Sequence, residues 1–278
     1  MKAIERRDFL KLLGASTLAG VSFNGKTAFA GAQPHIVVVG GGVGGATFSK
    51  YLRMADEGIK VTIIEKNRKY LRPYGSSEVI TGHESMEDIT ITYDALRDKY
   101  GINFIFDEVI GIDFDKQRVR TASGSNVNYD KLVVSTGPDF IYEAVEGYSA
   151  ELAAGDLPHA WKAGVQTAKL KAQIDAMPQG GVFVLSSPDG AYRCPPAPYE
   201  RTSMIADHLS RVNPTAKLLI LDSKNKYTFK NHYEHYWRER YGFGTDNETI
   251  SWIPEKEGGR VVKLDAANKT LITASGEK

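Results

Sequence analysis

The sequence predicts an α/β protein with two Rossmann-like domains, each built on a doubly wound parallel sheet. The runs His35–Val39 and Lys60–Glu65 are rich in β-branched residues, which is typical of strands buried on both faces of a parallel sheet. Between them, Ala46–Met54 has the length and residue types of a helix. The second half repeats the order of strand, helix and strand, over Gly181–Leu185, Ser203–Arg211 and Lys217–Asp222.

Composition and charge agree with a globular protein of about two domains. The chain has 278 residues, 42% hydrophobic and 25% charged, which excludes disordered, collagen-like and disulfide-scaffold classes. Residues 1–30 carry five of the 35 basic and two of the 34 acidic residues, so the remainder holds 30 and 32. This nearly neutral charge does not favour binding to nucleic acid or to an anionic membrane. The single cysteine excludes a disulfide within these residues, and we predict no metal site.

Residues 1–30 are predicted to be an export signal. Arg6-Arg7 followed by Phe9-Leu10-Lys11 resembles a twin-arginine signal, and Leu12–Phe23 is moderately apolar. Ala28-Phe29-Ala30 fits the small-x-small rule for cleavage, which would release a periplasmic protein without stable membrane insertion. The apolar stretch is shorter than the ~20 residues of a spanning helix. A retained anchor and an ordinary surface helix are the alternatives.

A glycine-rich loop joins the first predicted strand to the first predicted helix. Gly40, Gly42 and Gly45 occupy the positions of a G-x-G-x-x-G motif. The first glycine permits a tight turn, the second lets a pyrophosphate approach the backbone, and the third lets the helix pack on the strand. Glu65 ends the next strand, where a carboxylate would bind an adenosine ribose that lacks a 2′-phosphate. A glycine-rich turn that binds nothing is the alternative.

The following segment favours FAD over NAD. Tyr129–Gly137 is typical of a buried strand and ends in Thr-Gly, which resembles the second FAD motif of flavoproteins with two dinucleotide-binding domains. In those flavoproteins the backbone at the position of Val109 contacts the adenine. A small antiparallel meander, here Gln117–Ala122 and Asn126–Tyr129, also interrupts their first domain. The predicted FAD-binding residues are Gly40, Gly42, Val43, Gly45, Glu65, Lys66, Val109, Thr136 and Gly137.

We predict a first domain over residues 31–150 and a second over 151–278, joined by a linker at Gly147–Leu157. In the second domain, Pro195, Pro196 and Pro198 replace the glycines of a nucleotide loop, so close backbone approach to a pyrophosphate is lost and no NAD site is expected. Thr270–Lys278 is typical of the middle of a hairpin. We therefore expect an incomplete return segment, with the closing C-terminal part of the fold missing.

Three motifs of the second half carry a family resemblance. They are Arg193–Arg201 with its Arg-Cys-Pro-Pro start, Leu157–Gly164 and Tyr241–Thr245. They resemble the flavoprotein subunit of flavocytochrome c sulfide dehydrogenase, and the likeness covers residues 33–278. The resemblance implies a periplasmic FAD protein that oxidises sulfide to sulfur or polysulfide and passes electrons to a c-type cytochrome. That family is similar to sulfide:quinone reductases.

The resemblance also implies a role for Cys194. In the family, sulfide attacks a redox-active disulfide beside the flavin, and the released thiolate passes two electrons to it. Cys194 holds the position of one cysteine of that pair, and Arg193 favours its thiolate. The partner cysteine is absent from the 278 residues. Pro73 stands where the family can tether the flavin through a cysteine, which predicts noncovalent FAD.

Alternatives to these functions stay open. Cys194 is either the redox thiol or a buried, inert cysteine. The whole chain is either a cytochrome-linked sulfide dehydrogenase, a sulfide:quinone reductase, or a non-catalytic fragment that binds FAD or docks a cytochrome. The export signal and the Cys-Pro-Pro run favour the first.

Overall fold

The computed structural model describes residues 33–276, so the predicted export signal lies outside the described residues. The strands are β1 (His35–Val39), β2 (Lys60–Ile64), β3 (Lys69–Leu71), β4 (Thr90–Thr92), β5 (Asn103–Ile105), β6 (Val109–Asp113), β7 (Arg118–Thr121), β8 (Asn126–Asn128), β9 (Lys131–Val134), β10 (Val182–Ser187), β11 (Lys217–Asp222), β12 (Ile250–Ile253), β13 (Val261–Asp265) and β14 (Thr270–Thr273). The α-helices are α1 (Val43–Ala55), α2 (Ser76–Ile80), α3 (Asp94–Tyr100), α4 (Ala150–Ala154), α5 (Val165–Asp175), α6 (Ala197–Val212) and α7 (Lys230–Tyr241).

Four parallel strands form the first sheet, in the order β5-β2-β1-β9. His35 pairs with Lys60, and Ile36 pairs with Lys131, so β1 lies between β2 and β9. Val37 and Val38, whose side chains point to opposite faces, are both fully buried, as expected of a parallel sheet covered on both faces. Strands β6, β7 and β8 form the predicted antiparallel meander.

The second sheet is also parallel, in the order β10-β11-β12. The predicted fold class is therefore confirmed. The core of this half is built around the buried aromatic residues Tyr199 and Trp237. Asp265 of β13 pairs with Thr270 of β14, so Thr270–Thr273 is the second strand of a hairpin rather than its middle. No helix within residues 33–276 is long and apolar enough to span a bilayer.

Two helix predictions differ from the structure. The predicted linker Gly147–Leu157 contains α4, because the Ser149 hydroxyl accepts a hydrogen bond from the Leu152 amide at 3.2 Å and caps an alanine-rich turn. Helix α6 begins at Ala197, six residues before the predicted start. A proline in a first helical turn gives up an amide that has no intrahelical partner, so Pro198 fits inside α6.

Candidate active site

The turn between β1 and α1 requires glycine at two of its predicted positions. Gly40 has a φ of +100°, and a Cβ there would collide with the carbonyl oxygen of Ser135. A Cβ at Gly45 would collide with the carbonyl oxygen of Gly40. The Ser135 amide donates to the Val39 carbonyl at 2.8 Å, so the ends of β1 and β9 close around this turn. These two glycines are needed by the fold itself.

Gly42 has no such structural reason to be glycine. Its φ of −65° and ψ of −172° are open to any residue. Among the described residues, the atom nearest to a Cβ there would be Tyr70 Cε2, at 3.9 Å. Gly42 directly precedes α1, whose first-turn amides have no carbonyl partner within the helix. The open space and these amides fit a phosphate group, which is what the predicted cofactor would present here.

Glu65 is held beside this loop by two backbone amides. Its Oε2 accepts from the Gly41 amide at 2.8 Å, and its Oε1 accepts from the Asn67 amide at 2.8 Å. Burial raises the pKa of the Tyr93 phenol, and the nearby charge of Glu65 raises it further. Tyr93 is therefore a neutral group next to the carboxylate. The position of Glu65 is that of a ribose-binding acid.

A cavity of about 220 Å³ is lined by Tyr93, Arg68 and Phe106, among other residues, which the sequence analysis did not single out. Phe104 and Phe106 stack with their ring centroids 5.5 Å apart, and Tyr93 lies 4.7 Å from Phe104. The guanidinium of Arg68 lies 5.1 Å from the centroid of Phe106. Aromatic rings with a cation above them are suited to a planar base. The sequence signal that could have indicated this aromatic cluster was the alternation Phe104-Ile105-Phe106 at β5.

The remaining predicted FAD residues lie at carboxyl ends of strands or at the start of α1. Val43 opens α1 and is 52% exposed, while Lys66 is exposed after β2. Thr136 and Gly137 are exposed after β9. Val109 is half-buried at the start of β6. The carboxyl ends of parallel strands meet at one edge of a sheet, so the fold brings most of these residues to the same edge. Their contacts with FAD stay predictions.

The segment around Pro73 is fastened to the second half of the chain. Pro73–Gly75 forms a 3₁₀ turn that leads into α2. The Ser76 hydroxyl accepts from Thr167 Oγ1 at 3.2 Å, and the Ser77 hydroxyl accepts from Arg201 Nε at 3.2 Å. Helices α5 and α6 therefore hold the segment in which the family resemblance places a flavin tether.

Cys194 is exposed and its thiol is free, which contradicts the alternative of a buried cysteine. Its carbonyl accepts from the Ala197 amide at 3.0 Å, which ties Cys194 to the first turn of α6. Tyr192 closes the same loop, because its hydroxyl donates to the Pro195 carbonyl at 3.3 Å and accepts from Lys224 Nζ at 2.7 Å. The thiol is thus accessible on a loop with defined backbone contacts.

Tyr70 lies beside the glycine loop. Its ring is the group closest to the open space at Gly42. Burial raises the pKa of Tyr70 and the neighbouring Tyr74 raises it further, while the positive charges of Arg193 and Arg72 oppose that rise. Tyr70 is therefore a neutral phenol next to the space that a phosphate group would enter.

The turn between β10 and α6 of the second sheet, which corresponds to the glycine loop of the first, is built differently. Pro196 caps α6 and Pro198 lies in its first turn, so two amides that could hold a phosphate are missing. Asp222, at the end of β11, is buried and accepts from Tyr199 Oη at 2.5 Å and from Trp252 Nε1 at 2.9 Å. That carboxylate is engaged in packing contacts, and the absence of an NAD site in this domain stays a prediction. Over residues 33–276, no group of three or more His, Cys, Asp and Glu side chains is placed to hold a metal ion.

His159 lies where the second half meets the loop after β9. Its ring packs on Phe140 with centroids 4.0 Å apart, and its Nδ1 accepts from the Trp161 amide at 3.0 Å. Burial, aided by the positive charges of Lys162 and Arg201, lowers the pKa of His159 to about 4. The imidazole is therefore neutral at pH 7 and carries its proton on Nε2.

We expect the FAD-free chain to lose stability below pH 6.5 through His159. The unfolded chain protonates this residue near 6.5 and the folded chain near 4, so the unfolded state binds more protons between these values. The contribution of His159 to the free energy of unfolding is complete above pH 6.5 and falls by up to about 3 kcal/mol as the pH drops to 4. Urea unfolding at several pH values measures this fall in the free energy of unfolding.

The variant His159→Gln should show a smaller fall in the free energy of unfolding over the same pH range. His232→Gln, at an exposed position of α7, should keep the wild-type profile. If wild type and His159→Gln lose stability equally between pH 6.5 and 4, the buried neutral imidazole is not the cause.

Two family models match consecutive parts of the chain. The model described as pyridine nucleotide-disulphide oxidoreductase matches residues 34–168, which include the glycine loop and Glu65. The model described as the central part of the sulfide dehydrogenase [flavocytochrome c] flavoprotein chain matches residues 167–278, which include Cys194.

Individual proteins agree with these models. The sulfide-quinone reductase of Aquifex aeolicus is 34% identical over 110 residues, covering 40% of this chain and 26% of the relative. The coenzyme A disulfide reductase of Staphylococcus haemolyticus is 32% identical over 114 residues, covering 37% and 25%. The solved sulfide:quinone oxidoreductase of A. aeolicus matches with a TM-score of 0.68 and 25% identity, over 88% of this chain and 55% of that one.

The chain thus spans about a quarter of the curated relatives that it matches and about half of the solved structure. The matches confirm the predicted family resemblance and the predicted FAD cofactor, while the absence of a covalent tether at Pro73 stays a prediction. Residues 34–168 thus resemble pyridine nucleotide-disulphide oxidoreductases, and residues 167–278 resemble the central part of a sulfide dehydrogenase flavoprotein chain.

Proposed function

We propose that the chain is the flavoprotein of a sulfide-oxidising enzyme that passes electrons to a c-type cytochrome. The observation that carries the proposal is the exposed, free thiol of Cys194, on a loop that is tied to the first turn of α6. The family model over residues 167–278 is named for a sulfide dehydrogenase of the flavocytochrome c type, and this supports both sulfide and the cytochrome. From the Arg6-Arg7 pattern we also propose twin-arginine export to the periplasm, with cleavage after about Ala30.

The glycine loop and Glu65 would hold FAD. The amides of the first turn of α1 and the space at Gly42 would receive the pyrophosphate, and Glu65 would accept hydrogen bonds from the ribose. Bound FAD supplies the acceptor for the two electrons that are released, with one proton, when hydrosulfide becomes sulfur of oxidation level zero. Pro73 has no thiol, so FAD at this site would be noncovalent.

Cys194 would supply the sulfur chemistry. A thiolate, rather than a thiol, is the reactive form of cysteine. Attack of hydrosulfide on a disulfide that includes Cys194 forms one S–S bond, breaks another and releases one thiolate. The chain has one cysteine, so the second sulfur of that disulfide has to come from outside these 278 residues.

Anaerobic titration with sulfide of the FAD-loaded chain, after Cys194 has been converted to a mixed disulfide with a small thiol, tests the proposal. We expect the visible flavin band to bleach, and acid denaturation to release the flavin into solution. A band that sulfide leaves unchanged would contradict sulfide oxidation by this chain. Flavin that stays with the acid-precipitated protein would contradict noncovalent binding at Pro73.

A sulfide:quinone reductase is a second candidate, because A. aeolicus enzymes of that name match the chain in sequence and in fold. The sulfide-reduced protein should be mixed with either an oxidised c-type cytochrome or a soluble quinone. Faster return of the flavin band with cytochrome supports the first proposal, and faster return with quinone supports the second. Return with neither favours a chain that binds FAD without turning over.

A further inference from the structure

We propose that Arg201 is a positioning residue that fixes the loop of Cys194 relative to the FAD site, an inference that rests on the proposed function. Arg201 lies on α6 and is 2% exposed. Ala197, whose amide binds the Cys194 carbonyl, precedes it by four residues of the same helix. At 1.5 Å per residue the two positions are about 6 Å apart along the helix axis. A contact that fixes Arg201 therefore also fixes the base of the cysteine loop.

The guanidinium of Arg201 binds two other segments of the chain. Its Nε donates to the Ser77 hydroxyl at 3.2 Å, its Nη1 to the His159 carbonyl at 2.9 Å, and its Nη2 to the Ala160 carbonyl at 3.0 Å. The Trp161 ring covers it, with its centroid 3.4 Å from Cζ. A guanidinium has donors in fixed directions, so these contacts set an orientation as well as a distance.

The burial of the Arg201 cation and the backbone conformation of its partner Ala160 are each unfavourable by themselves. Burial lowers the pKa of Arg201 to about 9, while the nearby carboxylates Glu200 and Glu78 favour the charged form, so it is still a cation at pH 7. Ala160 is buried with a φ of +52°, a left-handed conformation that is unfavourable for a residue with a Cβ. The carbonyl of this strained residue accepts a hydrogen bond from Arg201. Strained backbone is often found at functional sites, where the surrounding contacts hold it in place.

Arg201 links the two segments that the proposed reaction needs. Ser77 follows Pro73 by four residues, in the segment where the family can tether its flavin. Cys194, which would supply the thiol, precedes Arg201 by seven residues. Because a displacement of about 1 Å can slow a reaction by a factor of about 100, a fixed link between the two segments has a direct effect on rate.

A distance measurement on the FAD-free, full-length chain tests the inference. The native Cys194 and a cysteine introduced by Thr47→Cys, at an exposed position of α1, carry two spin labels. We expect Arg201→Met to broaden the distribution of distances about twofold, because three directional hydrogen bonds are lost. Arg211→Met, which removes an exposed arginine paired with Asp207 on the same helix, should leave the distribution unchanged.

The FAD-loaded variants give a second readout. The rate constant for bleaching by sulfide, per bound flavin, should fall at least about tenfold in Arg201→Met and recover in part in Arg201→Lys. A residue needed only for stability would change the folded fraction and leave this rate constant alone. Ser77→Ala removes a single hydrogen-bond acceptor and should lower this rate constant by less than Arg201→Met does. The test therefore stays decisive if Arg201→Met does not fold.

Unchanged distances and unchanged rate constants in Arg201→Met, or in Ser77→Ala where the former does not fold, would overturn the inference. If sulfide fails to bleach even the wild-type flavin, the proposed function fails. The distance distributions of the FAD-free chains still decide whether Arg201 fixes the loop.

Discussion

Replacing Gly42 with alanine should lower the affinity for FAD about 100-fold, which corresponds to about 2.8 kcal/mol, and leave the FAD-free fold intact. A Cβ at Gly42 meets no described atom closer than Tyr70 Cε2, at 3.9 Å, and the backbone there suits any residue. The same Cβ would occupy the space into which a pyrophosphate has to come. Titration of the FAD-free chain with FAD, followed by quenching of flavin fluorescence, measures the affinity.

Gly45→Ala is the contrasting variant. Its Cβ would collide with the Gly40 carbonyl oxygen, which is backbone and cannot move without opening the turn. We expect a loss of about 3 kcal/mol of unfolding free energy in the FAD-free chain, in addition to lost FAD binding. Urea unfolding without FAD thus separates a glycine that the fold needs from a glycine that the ligand needs.

Two outcomes would contradict this assignment. If Gly42→Ala binds FAD as tightly as the wild type, no phosphate group approaches that backbone. If Gly42→Ala unfolds as readily as Gly45→Ala, glycine at position 42 has a structural role that the geometry does not reveal.

The motif alone could not have separated these glycines. The G-x-G-x-x-G spacing predicts a turn, a phosphate and a packed helix together, because all three need a residue without a Cβ. Only the backbone of the folded chain shows that Gly40 and Gly45 meet protein atoms whereas Gly42 faces open space. The strands were easier to predict, because buried parallel strands such as β1 and β2 are continuous runs of β-branched residues.

The link between thiol and cofactor site was not predictable from periodicity. Ser77 and Arg201 are 124 residues apart in sequence, and Arg201 and His159 are 42 apart. No local pattern distinguishes an arginine that crosses such a distance from one that faces solvent on the same helix, as Arg211 does. Helix α4 was missed for a related reason, since one capping serine and a few alanines give only a short, weak helical signal.

Replacing Cys194 with serine should abolish reduction of bound FAD by sulfide, with a loss of rate of at least about 1,000-fold, and leave FAD binding unchanged. The thiolate is the form that attacks sulfur or leaves from it, and a serine hydroxyl does neither near neutral pH. The side chain of Cys194 is exposed, so the change in stability should stay within about 0.5 kcal/mol. Anaerobic stopped-flow absorbance with sulfide measures the rate.

Dithionite provides the internal control for this variant. It reduces flavins directly, so Cys194→Ser should bleach with dithionite as fast as the wild type if its FAD is bound normally. Arg193→Gln is the matched neighbour, because it keeps the thiol and removes the adjacent charge. We expect it to retain the reaction with sulfide that Cys194→Ser loses, because the reacting sulfur is still present.

A Cys194→Ser protein that sulfide still bleaches at the wild-type rate would mean that sulfide reacts with the flavin without this thiol. The Arg-Cys-Pro-Pro motif would then serve the geometry of the loop, in which the Cys194 carbonyl binds the Ala197 amide and Tyr192 binds Lys224. A loss in Cys194→Ser together with a retained reaction in Arg193→Gln would instead assign the chemistry to the sulfur of Cys194. A disturbance of the loop would slow the reaction in both variants, so the two together distinguish a reacting sulfur from a structural one.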